Sequence, residues 1–162
     1  MSLTLDDERI VRIVVMPGGA LPSQVNSGSQ ADAIDDAFEL FNVIEFAFDP
    51  PGWYSEGDEW ASKYGGAVVE FETKQPSRFA PACERTRTAM NEGSLTYGGP
   101  LAAELAGHFG NCVAVETPPG MAVRKDHPDS PRKIDGAVSV IIGVEQMAWH
   151  TAHSREPLVA WA

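Results

Sequence analysis

Two aspartates lie at positions where α/β enzymes hold catalytic carboxylates. Asp49 follows the apolar segment 43–48 and precedes two prolines, and Asp135 stands at the start of a long apolar run. Ligands gather at the carboxyl ends of strands in open α/β sheets, and Mg²⁺ and Mn²⁺ prefer carboxylate oxygens. Two such ions about 3.5–4 Å apart stabilise the attacking and leaving oxygens in phosphodiester hydrolysis. The pair therefore predicts a two-metal site.

Each aspartate also has a structural explanation. Asp49 would turn the chain before Pro50 and Pro51, and Asp135 would be a helix-start carboxylate favoured by the macrodipole. Either residue alone is better explained in this way. Considered together in their order along the chain, the two aspartates are better explained by a two-metal mechanism than by coincidence.

Basic residues cluster around Asp135 in an otherwise acidic chain. They are Arg124, Lys125, Arg132 and Lys133. Their side chains could contact phosphate oxygens without reading base sequence, although a solvated basic loop explains them equally well. His127 lies in the same loop and could shuttle a proton or act as a minor ligand. A loop histidine with neither role is the simpler interpretation.

Length and charge limit the class of protein. The 162 residues suffice for one domain with a sizeable core, and the net charge is −11. A free-standing nucleic-acid binder usually shows a basic footprint, so this charge favours a domain that gains DNA affinity from another domain, or a protein that never touches DNA. No apolar run reaches the length of a membrane span, and no signal peptide is evident. Cys83 and Cys112 match no zinc spacing and are expected to be reduced thiols.

Hydrophobic periodicity predicts strands that alternate with helices, hence a single α/β domain with helices packed on a central sheet. The predicted strands are 9–16, 43–48, 67–71, 112–116 and 121–124, the last two forming a hairpin. The predicted helices are 31–41, 54–64, 76–91, 100–109 and 132–149, with Ser55 as an N-cap. Residues 1–8 are predicted to be a disordered leader and 150–162 a poorly ordered tail.

Three stretches resemble large terminase subunits of tailed bacteriophages and prophages. The segment VIEFAFDPPGW (43–53) is similar to the family's strand that ends in its second catalytic acid. The segment ACERTRTAMNEGSLTYGG (82–99) resembles a core-packing helix and turn, and VRKDHPDSPRKIDGAVSVIIGV (123–144) resembles the C-terminal signature. The resemblance extends over residues 30–149.

This resemblance implies a ribonuclease H-like fold, in which helices cover both faces of a central mixed sheet that is incomplete at its N-terminal edge. It implies a nuclease that cuts concatemeric double-stranded viral DNA with two Mg²⁺ or Mn²⁺ ions. Asp49 would be the second metal-binding acid and Asp135 the third, and Lys133 would help to position phosphate or metal. The implied partners are DNA, the terminase ATPase domain, the portal and the small terminase subunit, in the cytoplasm of the bacterial host.

The chain departs from the family's pattern at the first acid, which relatives carry in a Gly-x-Asp-type segment on the first strand. The predicted strand 9–16 contains no aspartate, and Asp6 and Asp7 precede it. The family's ATPase domain is absent as well, because the chain has no P-loop. These departures predict a truncated domain with weak or no activity. Three alternatives remain: a non-catalytic docking module, another ribonuclease H-like enzyme such as a resolvase or transposase, and an unrelated acidic α/β protein.

Overall fold

The computed structural model describes residues 2–4, 10–12, 30–99 and 101–153. Its strands are β1 (Ser2–Thr4), β2 (Ile10–Arg12), β3 (Phe46–Phe48), β4 (Val68–Glu70), β5 (Val113–Thr117) and β6 (Gly120–Arg124). Its helices are α1 (Gln30–Leu40), α2 (Tyr54–Tyr64), α3 (Pro76–Asn91), α4 (Ala102–Gly110) and α5 (Asp135–His153). The rest of the predicted strand 9–16, of the leader 1–8 and of the tail lies outside the described residues.

The described strands pair as three two-stranded sheets, whereas the sequence predicted one central mixed sheet. β1–β2 and β5–β6 are antiparallel, and β3–β4 is parallel, with Phe46 opposite Val68. The hairpin β5–β6 packs against α3 through side chains, with Ala122 buried in their shared cluster, and its backbone does not extend the β3–β4 sheet. The α/β class is confirmed.

β3, α2 and β4 form a parallel β-α-β unit, in which a helix returns the chain to the start of the next strand. Phe48 of β3 packs edge-on against Trp60 of α2, with ring centroids 5.5 Å apart. Ile34 of α1 is buried in the same cluster. A Cβ at Gly57 of α2 would overlap the Phe48 ring, reaching Cε2 at 2.9 Å. Glycine therefore lets the helix lie directly on the strand that ends before Asp49.

Helix α5 lies at the centre of the core. The sequence predicted it as apolar around most of its circumference, and such a helix is buried. One side joins a cluster with α3 and β6, made of Phe79, Ala80, Cys83, Ala122, Ile141 and Ile142 among others. The other side packs against α4 and the preceding turn through Leu95, Leu105, Phe109, Val140 and Val144.

The predicted bounds of α2 and α3 are confirmed, and the predicted hairpin is present with three of its four strand ends shifted by one residue. The predicted N-cap is wrong: Trp53 occupies that position without a side-chain cap, and Ser55 Oγ donates to Glu56 at 2.8 Å. None of the helices in the described part of the chain is long and apolar enough to cross a membrane.

The two ends of the described chain differ from the predictions. α5 begins at Asp135 rather than at residue 132, because the preceding residues form a turn in which Arg132 N donates to Ser130 Oγ at 3.2 Å. It continues to His153, so residues 150–153, predicted as tail, are helical. Ser2–Thr4, predicted as part of a disordered leader, forms β1 and pairs with β2.

Candidate functional site

Asp49 directly follows β3 and is held by the loop that follows β4. Because the two strands are parallel, their carboxyl ends lie at one edge of the sheet, and this brings Thr73 to Asp49. Thr73 N donates to Asp49 Oδ1 at 3.1 Å, and Thr73 Oγ1 donates to Asp49 Oδ2 at 2.6 Å. A carboxylate has roughly four lone-pair sites, so both oxygens can still accept a further donor or a cation.

The start of β3 lies beside the C-terminal half of α5. Glu45, which immediately precedes the strand, accepts a hydrogen bond from Gln146. Its Oε2 lies 2.9 Å from His150 Nε2, and the Glu45 side chain is only 12% exposed. These contacts fix one end of β3 against the last turns of the helix.

The other end of β3 points toward the N-terminal half of α5. Phe48 O accepts a hydrogen bond from Phe71 N at 2.8 Å, and Phe71 shares a buried cluster with Ile141. The strand and the helix are therefore antiparallel. Ala47 of β3 packs against the same cluster, so the carboxyl end of β3 is directed toward the N-terminal half of α5.

Asp135 is the first residue of α5, whereas the sequence predicted it within the first turn of a helix beginning at residue 132, and it is half-buried. Its backbone carbonyl accepts a hydrogen bond from Ser139 Oγ at 3.0 Å, one turn further along. The positive end of the helix dipole favours a carboxylate at this position. Each aspartate therefore lies at the terminus of a regular element, Asp49 after β3 and Asp135 at the start of α5.

The last turn of α4 holds the backbone on both sides of Asp135. His108 Nδ1 accepts a hydrogen bond from Gly136 N at 2.8 Å, and Asn111 Nδ2 donates to Lys133 O at 3.0 Å. The first N–H groups of a helix have no partner within it, so His108 supplies one from a neighbouring helix. His108 is buried, and a Cβ at position 136 would lie 2.6 Å from its Nδ1. Close contact with this imidazole therefore requires glycine after Asp135.

The four predicted phosphate-contacting cations lie between the end of β6 and the start of α5. Arg124 is the last residue of β6, and Lys133 is two residues before Asp135. Their side chains and that of Arg132 are exposed, whereas Lys125 is half-buried. Arg124, Arg132 and Lys133 are therefore accessible to an anionic ligand.

Asp126 stabilises the basic loop, the segment 124–133 that carries these four cations. His127 N donates to Asp126 Oδ1 at 3.0 Å, and Arg132 Nη1 lies 3.9 Å from Asp126 Oδ2. A hydrogen bond from Ser130, the His127 amide and the charge of Arg132 lower the pKa of Asp126. The backbone of His127 thus supports the loop, while its side chain is exposed.

The two aspartates can provide only oxygen ligands to a metal ion. Within the ranges described, no group of three or more His, Cys, Asp or Glu side chains is arranged to hold a metal ion. Asp49 and Asp135 are therefore not part of any such group of three among those residues.

Sequence reasoning missed Thr73, His108 and Asn111. Thr73 could have been found because it follows a strand that returns parallel to the Asp49 strand, so both strand ends lie at one edge. His108 and Asn111 are three residues apart and therefore share a face at the end of an apolar helix. That spacing was a signal, although it did not indicate which backbone groups the pair would reach.

Comparison with known proteins gives a similarity to a bacteriophage protein. No protein-family profile matches the chain, and no solved structure matches it. The chain is similar to the Gene 13 protein of Mycobacterium phage D29, with 29% identity over 137 residues. The match covers 77% of this chain but 22% of that protein, so the chain spans less than a quarter of the length of this curated relative. The similarity is to part of a much longer bacteriophage protein.

Proposed function

We propose that this chain is the nuclease domain of a large terminase subunit of a tailed bacteriophage, with a ribonuclease H-like fold. The observation that carries the proposal is that both carboxylates lie at element termini, Asp49 after β3 and Asp135 at the start of α5, with the carboxyl end of β3 directed toward the N-terminal half of the helix. The parallel β3–α2–β4 unit supports it, because a strand-end carboxylate on such a unit faces a crevice. The similarity to a much longer phage protein supports it too, since a terminase nuclease domain belongs to a larger chain.

The chemistry of the two aspartates fits Mg²⁺ or Mn²⁺, because both ions prefer carboxylate oxygens. Two bound ions would stabilise the attacking and leaving oxygens in hydrolysis of a DNA phosphodiester. Thr73 would orient the Asp49 carboxylate, leaving one side of each oxygen for an ion. No third Asp, Glu, His or Cys groups with the pair in residues 30–99 or 101–153, so we expect this chain alone to bind metal weakly and to cut slowly.

The basic loop would contact the DNA backbone beside the metal site. Lys133 lies nearest to Asp135 in sequence and would help to position the phosphate, and Arg124, Lys125 and Arg132 would contact neighbouring phosphates. With a net charge of −11, these cations alone would hold duplex DNA weakly. Under the proposal, the ATPase domain supplies further affinity, and the portal and the small terminase subunit bring the DNA, in the cytoplasm of the host.

Plasmid nicking tests the proposal. The purified chain at high concentration is incubated with supercoiled DNA in Mn²⁺, in Mg²⁺ and in EDTA. We expect slow metal-dependent nicking, and a loss of at least about 100-fold in Asp49→Asn and Asp135→Asn, since charge stabilisation by the ions is the main catalytic term. Asp58→Asn, at an exposed acid of α2, is the matched control and should nick like the wild type.

Two results would contradict the proposal. One is a wild-type chain that neither nicks DNA nor binds Mn²⁺ in a paramagnetic resonance titration. The other is nicking that persists unchanged in Asp135→Asn, which would identify a contaminating nuclease. Asparagine at position 49 keeps only one of the two oxygens that accept from Thr73, so Asp49→Asn changes both the charge and the loop contact, and Asp135→Asn is the cleaner test of charge.

The second candidate is a non-catalytic module that keeps the fold and only docks to other packaging proteins. The hydrogen bonds between Asp49 and Thr73 favour it, because they give Asp49 a structural role that needs no metal. Under this alternative, Asp49→Asn loosens the loop after β4 but Mn²⁺ leaves the protein's thermal stability unchanged. Stabilisation by Mn²⁺ that disappears in Asp135→Asn favours the nuclease.

A further inference from the structure

We propose that His108 and Asn111 are positioning residues that fix Asp135 for metal binding. The inference rests on the proposed function, in which Asp135 is a ligand. Both residues belong to the end of α4, and neither is a metal ligand in the proposal. Together they form a clamp, defined here as the hydrogen bonds from Gly136 N to His108 Nδ1 and from Asn111 Nδ2 to Lys133 O.

The clamp acts on the backbone at the two positions that bracket Asp135. Gly136 is the next residue in the chain and Lys133 is two residues earlier, so Asp135 lies between two anchored points. A further bond, from Val138 N to Ile134 O at 3.0 Å, begins the helix in the same stretch. With the backbone fixed on both sides, the direction of the Asp135 side chain is set by its own rotamer alone.

The role of Nδ1 follows from the bond it makes. A backbone amide can only donate, so His108 Nδ1 acts as the acceptor of the hydrogen bond from Gly136 N. A backbone amide at a helix start otherwise has no partner within the helix. The near-complete burial of His108 excludes water as a replacement acceptor. The bond is therefore specific to a residue with an acceptor at the δ position.

Residues that do not bind a metal ion themselves but orient one of its ligands affect the affinity for the metal. Partners that hold a ligand typically change metal affinity by about 10–100-fold when they are removed. A residue needed only for packing would lower stability and leave the affinity of the folded protein for metal unchanged. These two roles predict different measurements.

Four variants distinguish a positioning role of His108 and Asn111 from a role in packing alone. His108→Leu keeps bulk and removes the acceptor, whereas His108→Asn places an amide oxygen at the δ position and restores it. Asn111→Ala removes the second half of the clamp and remains informative if His108→Leu does not fold. Thr117→Val is the control, because it removes a comparable side chain–backbone bond, to Gly120 O at 2.6 Å, in the β5–β6 turn.

Three readouts are made on each folded variant: hydrogen exchange of the Gly136 amide without metal, Mn²⁺ affinity by paramagnetic resonance, and nicking at saturating Mn²⁺ with KM for DNA. In His108→Leu we expect the Gly136 amide to exchange at least about tenfold faster, as its only partner is lost. We expect Mn²⁺ to bind about 10–100-fold more weakly and KM for DNA to stay unchanged. In His108→Asn and Thr117→Val, amide exchange at Gly136 and Mn²⁺ affinity should equal those of the wild type. In Asn111→Ala, both should lie between the values for the wild type and for His108→Leu.

The outcomes distinguish the inference from the proposed function. If His108→Leu frees the Gly136 amide but binds Mn²⁺ like the wild type, the positioning role is overturned while the nuclease proposal stands. Equal defects in His108→Leu and His108→Asn overturn it as well. If the wild type does not bind Mn²⁺, the proposed function fails. The clamp is then tested by hydrogen exchange of the Gly136 amide alone. Protection that is lost in His108→Leu and kept in His108→Asn supports the clamp, and protection that is unchanged in His108→Leu overturns it.

Discussion

Single residues at the candidate site are held in different ways. The carboxylate of Asp49 is held by Thr73, whereas the backbone around Asp135 is held by the end of α4. An asparagine at position 49 therefore tests both charge and a loop contact, while one at position 135 tests charge alone. For this reason, Asp135 is the cleaner site at which to test for metal chemistry.

Two thiols illustrate how burial sets reactivity. Cys83 is buried in the core between α3 and β6, and Cys112 is half-buried just before β5. Burial raises the pKa of Cys83 to about 11 and also raises the pKa of Cys112. Only the thiolate is nucleophilic, so a raised pKa makes a cysteine less reactive at neutral pH. Both cysteines are free, which agrees with the expectation from sequence.

We expect iodoacetamide to modify Cys83 far more slowly than Cys112 in the native protein. At pH 8 a thiol whose pKa is about 11 is only ~0.1% thiolate, and the core also excludes the reagent. Labelling of Cys83 should rise about tenfold per pH unit up to pH 10 while the fold persists. Mass spectrometry of the labelled peptides measures both rates, and full denaturation should make them similar. Native Cys83 that reacts as fast as Cys112 would contradict the burial of α3 against β6.

At the scale of elements, the contact between α2 and β3 depends on one glycine. Gly57 lies over the Phe48 ring, and a methyl group there would overlap it. Overpacking of this kind costs about 1–3 kcal/mol, which exceeds the ~1 kcal/mol that alanine gains over glycine in a helix. The packing of β3, and so the location of Asp49, depends on this close approach.

Gly57→Ala should therefore lower the free energy of unfolding by up to about 2 kcal/mol in urea denaturation. Phe48→Leu in the same chain should recover part of that loss, because the shorter side chain makes room, and a double-mutant cycle measures this coupling. Gly66→Ala is the matched control, since a methyl group there meets nothing within 4 Å, and its effect should be within about 0.5 kcal/mol. A stabilised Gly57→Ala would show that the helix does not rest on Phe48.

Across the whole molecule, charge is unevenly distributed. The net charge of −11 opposes DNA binding, yet four cations lie between β6 and α5. Phosphate contacts release counterions, so the salt dependence of affinity counts them. This gives a measurement that does not require the chain to be active.

We expect the chain to bind duplex DNA weakly, with log K falling against log salt with a slope of roughly −3 to −4 if all four cations contact phosphate. Each of Arg124→Gln, Arg132→Gln and Lys133→Gln should reduce the slope by about 1. Arg87→Gln, at an exposed arginine of α3 paired with Glu84, should leave it unchanged. Fluorescence anisotropy over a salt series gives the slopes. Equal slopes in all variants would show that the basic loop does not contact the DNA.

The sequence alone determined the α/β class, the extent of α2 and α3 and the β5–β6 hairpin. These features depend on local chemistry: apolar periodicity of 3.6 or 2, Pro76 at a helix start, and a Pro-Pro-Gly turn between two strands. It also located Asp49 after a strand and Asp135 in the first turn of a helix, because both positions are defined by neighbours in the chain. The assignment to a terminase nuclease remains a prediction from resemblance.

Only the tertiary structure decided how distant segments meet. Residues more than twenty positions apart make the contacts that hold the site: Thr73 with Asp49, His108 with Gly136, and Asn111 with Lys133. Such pairs leave no periodic signal in the sequence, because their meeting depends on strand direction and on helix packing. The start of α5 shows the same limit, since a side-chain turn at Ser130 delays it beyond the predicted residue. Local pattern determined where each aspartate lies in its element, and packing determined which distant residues hold Asp49 and the backbone around Asp135.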